Sequence, residues 1–177
     1  MELFQKLEFS MKYSCLLFGE GGNDKKFLIA LLELEKFKYH TKKWEPSYDS
    51  ASGSSPEDIL SRCVSSIRGK EYDLIICFID LDKLKTDYPR VWKKKKKILE
   101  KKYSNFKIVW QVDNAEDEYR RVLGESRKVG KQKLNELAKK NISKFINSKY
   151  GKRILKIIKK KEIKLDKINQ TTRATFQ

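Results

Sequence analysis

Four carboxylates stand where this chain could do chemistry: Glu20, Asp80, Asp82 and Glu116. Glu20 closes the apolar run Cys15-Leu16-Leu17-Phe18 and sits among Gly19, Gly21 and Gly22. Asp80 ends LIICFID, a run that is apolar up to that carboxylate, and Asp82 follows two positions later. Glu116 lies in the acid-rich stretch 113–118, directly after the apolar run FKIVWQV. Side chains two apart on an extended chain point the same way, so Asp80 and Asp82 are expected to face one small volume. Like charges held together are costly unless something positive lies between them, and a hard divalent cation satisfies an all-carboxylate set. The chain has one histidine, His40, and no cysteine ligand spacing, so Mg2+ or Mn2+ fits this donor set better than zinc. A cation so held can orient water and neutralise charge growing on a phosphoryl group. The chemistry expected is phosphodiester cleavage or transfer.

The elements that must position these acids follow from hydrophobic pattern. An unbroken apolar run such as 74–79 reads as a strand covered on both faces, as in the parallel sheet of an α/β protein. The run 15–18 and the run 106–112 read as further strands, and a weaker one is expected over 38–44. Phe27, Leu28, Leu31 and Leu32 recur at helical spacing, as do Ile59, Leu60, Cys63, Val64 and Ile67. Ser55-Pro56-Glu57-Asp58 supplies an N-cap, a proline at the first helical position and an acid at the third. Alternating strands and helices argue for a mainly parallel sheet with right-handed crossovers and helices on both faces. In such a sheet Glu20, Asp80, Asp82 and Glu116 all leave along one edge, where open α/β sheets place their ligands. Residues 1–11 read as an edge strand or a loose lead-in, and the last ten as a tail.

Charge narrows the partner class. The 177 residues carry 41 Lys or Arg against 24 Asp or Glu, a formal net charge of +17. Much of it lies late: residues 125–177 hold 17 basic against 4 acidic residues, +13 of that total. A field of this size suits a polyanion, with DNA or RNA first and an acidic protein or anionic surface as alternatives. A lysine-rich surface with no partner is the bland reading. Lys139, Lys140, Lys152, Arg153, Lys156 and Lys160 form the candidate phosphate-binding cluster. Lys94 and Lys95, inside the run 93–97, either grip phosphates too or are the solvated face of a helix. Cys15, Cys63 and Cys77 read as small buried hydrophobes of a reducing compartment. No stretch approaches a membrane span and no signal-peptide core opens the chain, so a cytoplasmic protein is expected.

Glu20-Gly21-Gly22-Asn23-Asp24, followed after a helix, strand and helix by Asp80-Leu81-Asp82, resembles the Toprim fold. This is the catalytic domain shared by topoisomerases, bacterial primases, the overcoming-lysogenisation-defect nucleases and small ribosomal-RNA maturases. Small Toprim-like proteins of bacterial defence islands are similar too, with an acid after the next strand that Glu116 would match. The likeness covers roughly residues 12–123. It implies a Mg2+- or Mn2+-dependent nuclease in which Glu20 is the general acid-base or metal-facing acid and Asp80 and Asp82 are metal ligands. Asp24 would shape the first loop. The chain then divides into a Toprim-like catalytic domain, 1–124, and a basic helical extension packed on it, 125–177. The rival reading is an inactive Toprim-like domain that binds nucleic acid or serves as scaffold in a larger assembly, with a protein partner or a second copy. Gly19 to Lys26 has neither the P-loop nor the dinucleotide-binding register. A phosphatase with Asp80 as nucleophile lacks the Thr or Val expected two residues beyond Asp82, where Leu84 stands.

Overall fold

The computed structural model describes residues 12–32 and 42–175. The apolar runs become strands of one sheet: β1 (Tyr13–Gly19), β2 (Trp44–Ser50), β3 (Leu74–Asp80) and β4 (Lys107–Gln111). All pairings are parallel and the spatial order is β2-β1-β3-β4. From β1 the chain steps outward to β2, then crosses back over β1 to β3. The connections therefore diverge between β1 and β3, and the crevice beyond their carboxyl ends is the topological switch point of an α/β sheet.

Strand alternation sorts the core into two layers. Cys15, Leu17, Leu74, Ile76, Phe78 and Val109 face one side; Leu16, Phe18, Ile75, Cys77, Ile79 and Trp110 face the other. The second side is covered by α2 (Pro56–Ser66), α3 (Asp82–Asp87) and α4 (Trp92–Lys102), through Ile59, Leu60, Cys63, Leu84 and Leu99. The first is covered by α1 (Gly22–Leu32), α5 (Ala115–Leu123), α6 (Lys131–Lys140), α7 (Ser143–Ile146) and α8 (Lys149–Thr175). The C-terminal helices thus supply core: Leu134, Ala138, Phe145, Ile146, Tyr150, Ile154 and Ile158 are all buried in the layer that Leu17, Ile76 and Phe78 line. The chain is an α/β protein with a parallel sheet, helices on both faces and a helical C-terminal part.

Several expectations shift. The strand expected over 38–44 begins only at Trp44 and runs to Ser50; Lys42 and Lys43 are helical, and 38–41, with His40, lie outside the described residues, as do 1–11. Leu134 and Ala138 lie on α6 and Phe145 and Ile146 on α7, the chain turning between them at Asn141 and Ile142. The expected tail is instead the end of α8, helical to Thr175. Ser55 does cap α2, its Oγ accepting the Asp58 N–H at 3.2 Å with Pro56 in the first turn.

Candidate functional site

At the switch point β1 ends on Gly19, and Glu20 and Gly21 turn the chain into α1. Asp24 closes that turn: its Oδ2 accepts the Gly21 N–H at 2.9 Å, a third-position acid reaching back to the residue before the helix. Glu20 reaches across to β3, where its Oε2 accepts the Asp80 backbone N–H at 3.2 Å. The first and third strands are therefore joined at their carboxyl ends through the two acids that sequence spacing singled out. Asp80 lies on the same side of β3 as Phe78 and Ile76, and its Oδ1 is buried with no hydrogen-bond partner.

Electrostatics show how tightly the acids crowd. Burial, then the carboxylates of Glu20, Asp24, Asp82 and Glu116, push the Asp80 carboxyl up to about 8. Burial raises Glu20 as well, with Asp24 and Asp82 adding to it and the Asp80 N–H opposing. Asp24 is raised by burial and by Glu116, against the Gly21 N–H and Lys131. Asp80 is thereby biased toward its protonated form. The buried Tyr119 and Tyr150 both feel the Asp24 carboxylate, and Gln111 Nε2 donates to Tyr150 Oη at 3.2 Å.

Asp82 lies beside this volume, where its charge bears on Asp80 and Glu20, and strand alternation does not place it. The chain leaves the extended conformation at Leu81 (φ −89°, ψ −17°), whose side chain is buried on the opposite face, and Asp82 is the exposed first residue of α3. Two backbone bonds hold the turn: the Leu81 and Asp82 N–H groups both donate to the Asp113 carbonyl, at 3.0 and 2.8 Å. Asp113 adopts a left-handed φ of 69° to present that oxygen, a conformation that costs a non-glycine residue. Its carboxylate is ion-paired with Lys85 and, at 3.4 Å, with Arg121, and the Lys85 bond holds it below its ordinary range. Asn114 caps α5, its Oδ1 accepting the Asp117 N–H at 2.9 Å, and Asp117 pairs with Arg120 at 3.0 Å. Of the acids at this exit, Glu116 is the one whose charge bears on Asp80 and Asp24. It meets Lys131 Nζ at 2.8 Å.

Lys131 is the residue sequence reasoning missed. It opens α6, and nothing in a lysine-rich segment marks it out from its neighbours. It partly offsets Glu20 and Asp24 as well as Glu116. Its side chain is 70% exposed, and an exposed ammonium holds such a pair weakly. The donors are all carboxylate oxygens and Asp80 Oδ1 lacks a partner, which fits a hard divalent cation. Among the described residues no three acids are already drawn into a metal-holding group. Asp80 and Glu20 are the fixed members; Asp82 and Glu116 would have to turn in toward them.

The basic candidates are spread over the molecule. Lys94 is exposed on α4 and Lys95 lies 4.7 Å over the Tyr88 ring, on the helical layer opposite α6 to α8. Lys139 and Lys140 are exposed at the end of α6, and Lys152, Lys156 and Lys160 are exposed on α8. Arg153 has a structural duty: Nη1 donates to the Trp110 carbonyl at 2.6 Å and Nη2 lies 3.4 Å from Glu118. Cys15, Cys63 and Cys77 are buried free thiols, with Cys63 and Cys77 Sγ atoms 3.6 Å apart. Among the described residues no helix is long and apolar enough to cross a membrane. Comparison with family models, curated proteins and solved structures finds no match to this chain.

Proposed function

We propose that this protein is a divalent-cation-dependent nuclease that hydrolyses phosphodiester bonds of DNA or RNA. The observation that carries the reading is Asp80: a buried carboxyl at the switch point, one oxygen without a partner, pressed by neighbouring acids toward the protonated form. Such a group is costly unless a cation neutralises it. Asp80 and Glu20, joined by Asp82 and Glu116, are the residues that would hold Mg2+ or Mn2+. When bound, the ion would supply charge neutralisation at the scissile phosphate. The chain's own part is positional. The Asp80 N–H fixes Glu20 Oε2 and leaves Oε1 as the acceptor for a proton from attacking water. The raised affinity of Glu20 for that proton suits a general base. The resemblance to Toprim domains in the Glu20-Gly21 and Asp80-Leu81-Asp82 motifs supports the same assignment.

A second reading has its own support. Lys131 already pairs with Glu116, and the acids are not gathered as a ready cage. A chain that kept this arrangement would be a nucleic-acid-binding or scaffold subunit without turnover. The two readings part in one experiment: Asp80→Ala and the wild type are incubated with single- and double-stranded DNA and RNA in Mg2+, Mn2+ or EDTA. The nuclease reading requires metal-dependent cleavage by the wild type, reduced at least about a hundredfold in the variant as for loss of a charge-stabilising group, with nucleic-acid binding retained. Cleavage that persists in Asp80→Ala removes the proposed mechanism; absence of cleavage by the wild type on all substrates leaves the binding subunit.

A further inference from the structure

A second site lies at the other end of the sheet, where the strands begin. There the starts of β1 and β3, the loop before β4 and one side of α8 enclose an open groove of about 1240 Å³. This exceeds the roughly 300–1,000 Å³ that suits a small molecule, so a segment of polymer is the better-sized occupant. Seven of the residues lining it are Lys or Arg and two are Asp or Glu. Arg153 is spoken for by the Trp110 carbonyl and Glu118. The other cations, Lys70, Lys107, Lys156, Lys160, Lys161 and Lys164, have no ion pair with any described residue. Neither lining acid, Glu71 or Asp73, forms an ion pair with them among the described residues; the Asp73 carboxylate accepts the Ser14 N–H at 2.8 Å and its hydroxyl at 3.2 Å.

The placement of these lysines is ordered. Lys156, Lys160 and Lys164 recur every four residues and so form one row along α8, about 12 Å long at 1.5 Å rise per residue. Lys70, in the loop before β3, and Lys107, the first residue of β4, line the same groove as the half-buried ring of Tyr72. A row of cations without an ion pair to any described residue, lining the same concave groove as a partly exposed aromatic ring, supplies the two elements that hold a single strand, phosphates along the lysines and a base on the ring. A duplex presents its phosphates on a convex, rigid cylinder and would touch such a groove only at its rims.

We propose that this groove binds single-stranded nucleic acid through its phosphate backbone, independently of the acidic end of the sheet. The inference rests on nucleic acid being the partner of the proposed function, and not on cleavage. β3 is seven residues long, so about 20 Å separates the groove from Asp80 at roughly 3.3 Å per residue. That span keeps a bound strand clear of the carboxylates that would repel it, and binding requires no divalent ion.

The test is fluorescence anisotropy with fluorescein-labelled 20-nucleotide single strands of DNA and RNA and the matched duplex, in EDTA, over a salt series. The wild type is expected to bind the single strands more tightly than the duplex. Lys156→Glu/Lys160→Glu/Lys164→Glu should weaken single-strand binding at least tenfold. The salt dependence should flatten by about 2 in log–log slope, three phosphate contacts at roughly 0.7 each. Lys139→Glu/Lys140→Glu, on α6 and outside the groove, should change affinity less than threefold. Alanine replacements at the same three α8 positions, all exposed and with folding checked by circular dichroism, provide a milder second variant that should weaken binding in the same order. Wild-type affinity in both α8 variants, preference for the duplex, or a larger loss from the α6 variant would each overturn the groove. Those results leave metal-dependent cleavage standing, just as cleavage by Asp80→Ala would leave the groove standing.

Discussion

A buried carboxyl with an unsatisfied oxygen works against the fold that contains it, and Asp80 is such a group. Its folded-state value near 8 lies far above its ordinary value of 3.8, so the folded chain holds a proton that the unfolded chain releases. Stability contributed by this proton is complete below pH 4 and is lost progressively between about 4 and 8, because over that window the native state binds more protons than the unfolded state. Asp80→Asn, which keeps the shape and cannot ionise, should therefore match the wild type at pH 4 and exceed it at pH 8 without divalent ions. The expected gain is about 5 °C or more in Tm, given the few degrees that each kcal/mol moves a domain of this size. Thermal unfolding at pH 4, 6 and 8 measures it; a difference that is constant across the range would mean Asp80 is not buried among carboxylates. Mg2+ or Mn2+ should narrow the gap at pH 8, since an ion at the site stabilises only the chain that retains the charge.

Helix junctions carry the next level of specification, and Gly151 shows how close two elements come. A Cβ at this position would lie 2.0 Å from the Phe145 carbonyl oxygen and 3.0 Å from that of Ile146, both backbone atoms that no side-chain rotation moves aside. In a solvated helix interior, glycine to alanine gains up to about 1 kcal/mol. Here Gly151→Ala should instead lose about 1–3 kcal/mol by overpacking, seen as a lower urea midpoint with an unchanged slope. A stabilised variant would show that α7 and α8 are not in this contact. The same scale explains what could be read in advance. β1, β3 and β4 were legible because apolar runs buried on both faces leave little else they could be. β2 was displaced because it is an edge strand, WEPSYDS, mostly half-exposed and carrying Pro46, which only an edge position accommodates. Glu20 and Asp80 were legible as strand exits. The placement of Asp82 was not, since it depends on Leu81 turning inward under the Asp113 carbonyl, a bond between residues far apart in the chain. Lys131 was hidden for a different reason: its role comes from tertiary placement alone.

At the scale of the whole molecule the charge is divided: acids gather where the strands end, and lysines surround the groove where they begin. The helices from residue 131 onward carry much of the positive charge and also close one face of the sheet, so the basic segment cannot be shed as a binding tail would be. Leu134, Phe145, Ile146, Tyr150, Ile154 and Ile158 are each at most 8% exposed and pack in the layer lined by Leu17, Ile76 and Phe78. Burying a large apolar side chain contributes about 1.5–3 kcal/mol. The loss of these six therefore amounts to roughly the 5–15 kcal/mol that holds an ordinary domain together. A chain ending at Gly124 should lack a cooperative urea transition and bind hydrophobic dyes, although it retains every strand and every acid of the candidate site. The cause would be the uncovered face of β1 and β3, and a separately expressed segment 125–177 added in trans should restore part of the transition. If the shortened chain instead unfolds in one sharp step at a midpoint near that of the full chain, the C-terminal helices are an accessory to a self-sufficient sheet domain. The lysines of α8 would then have been retained for the groove and not for the core.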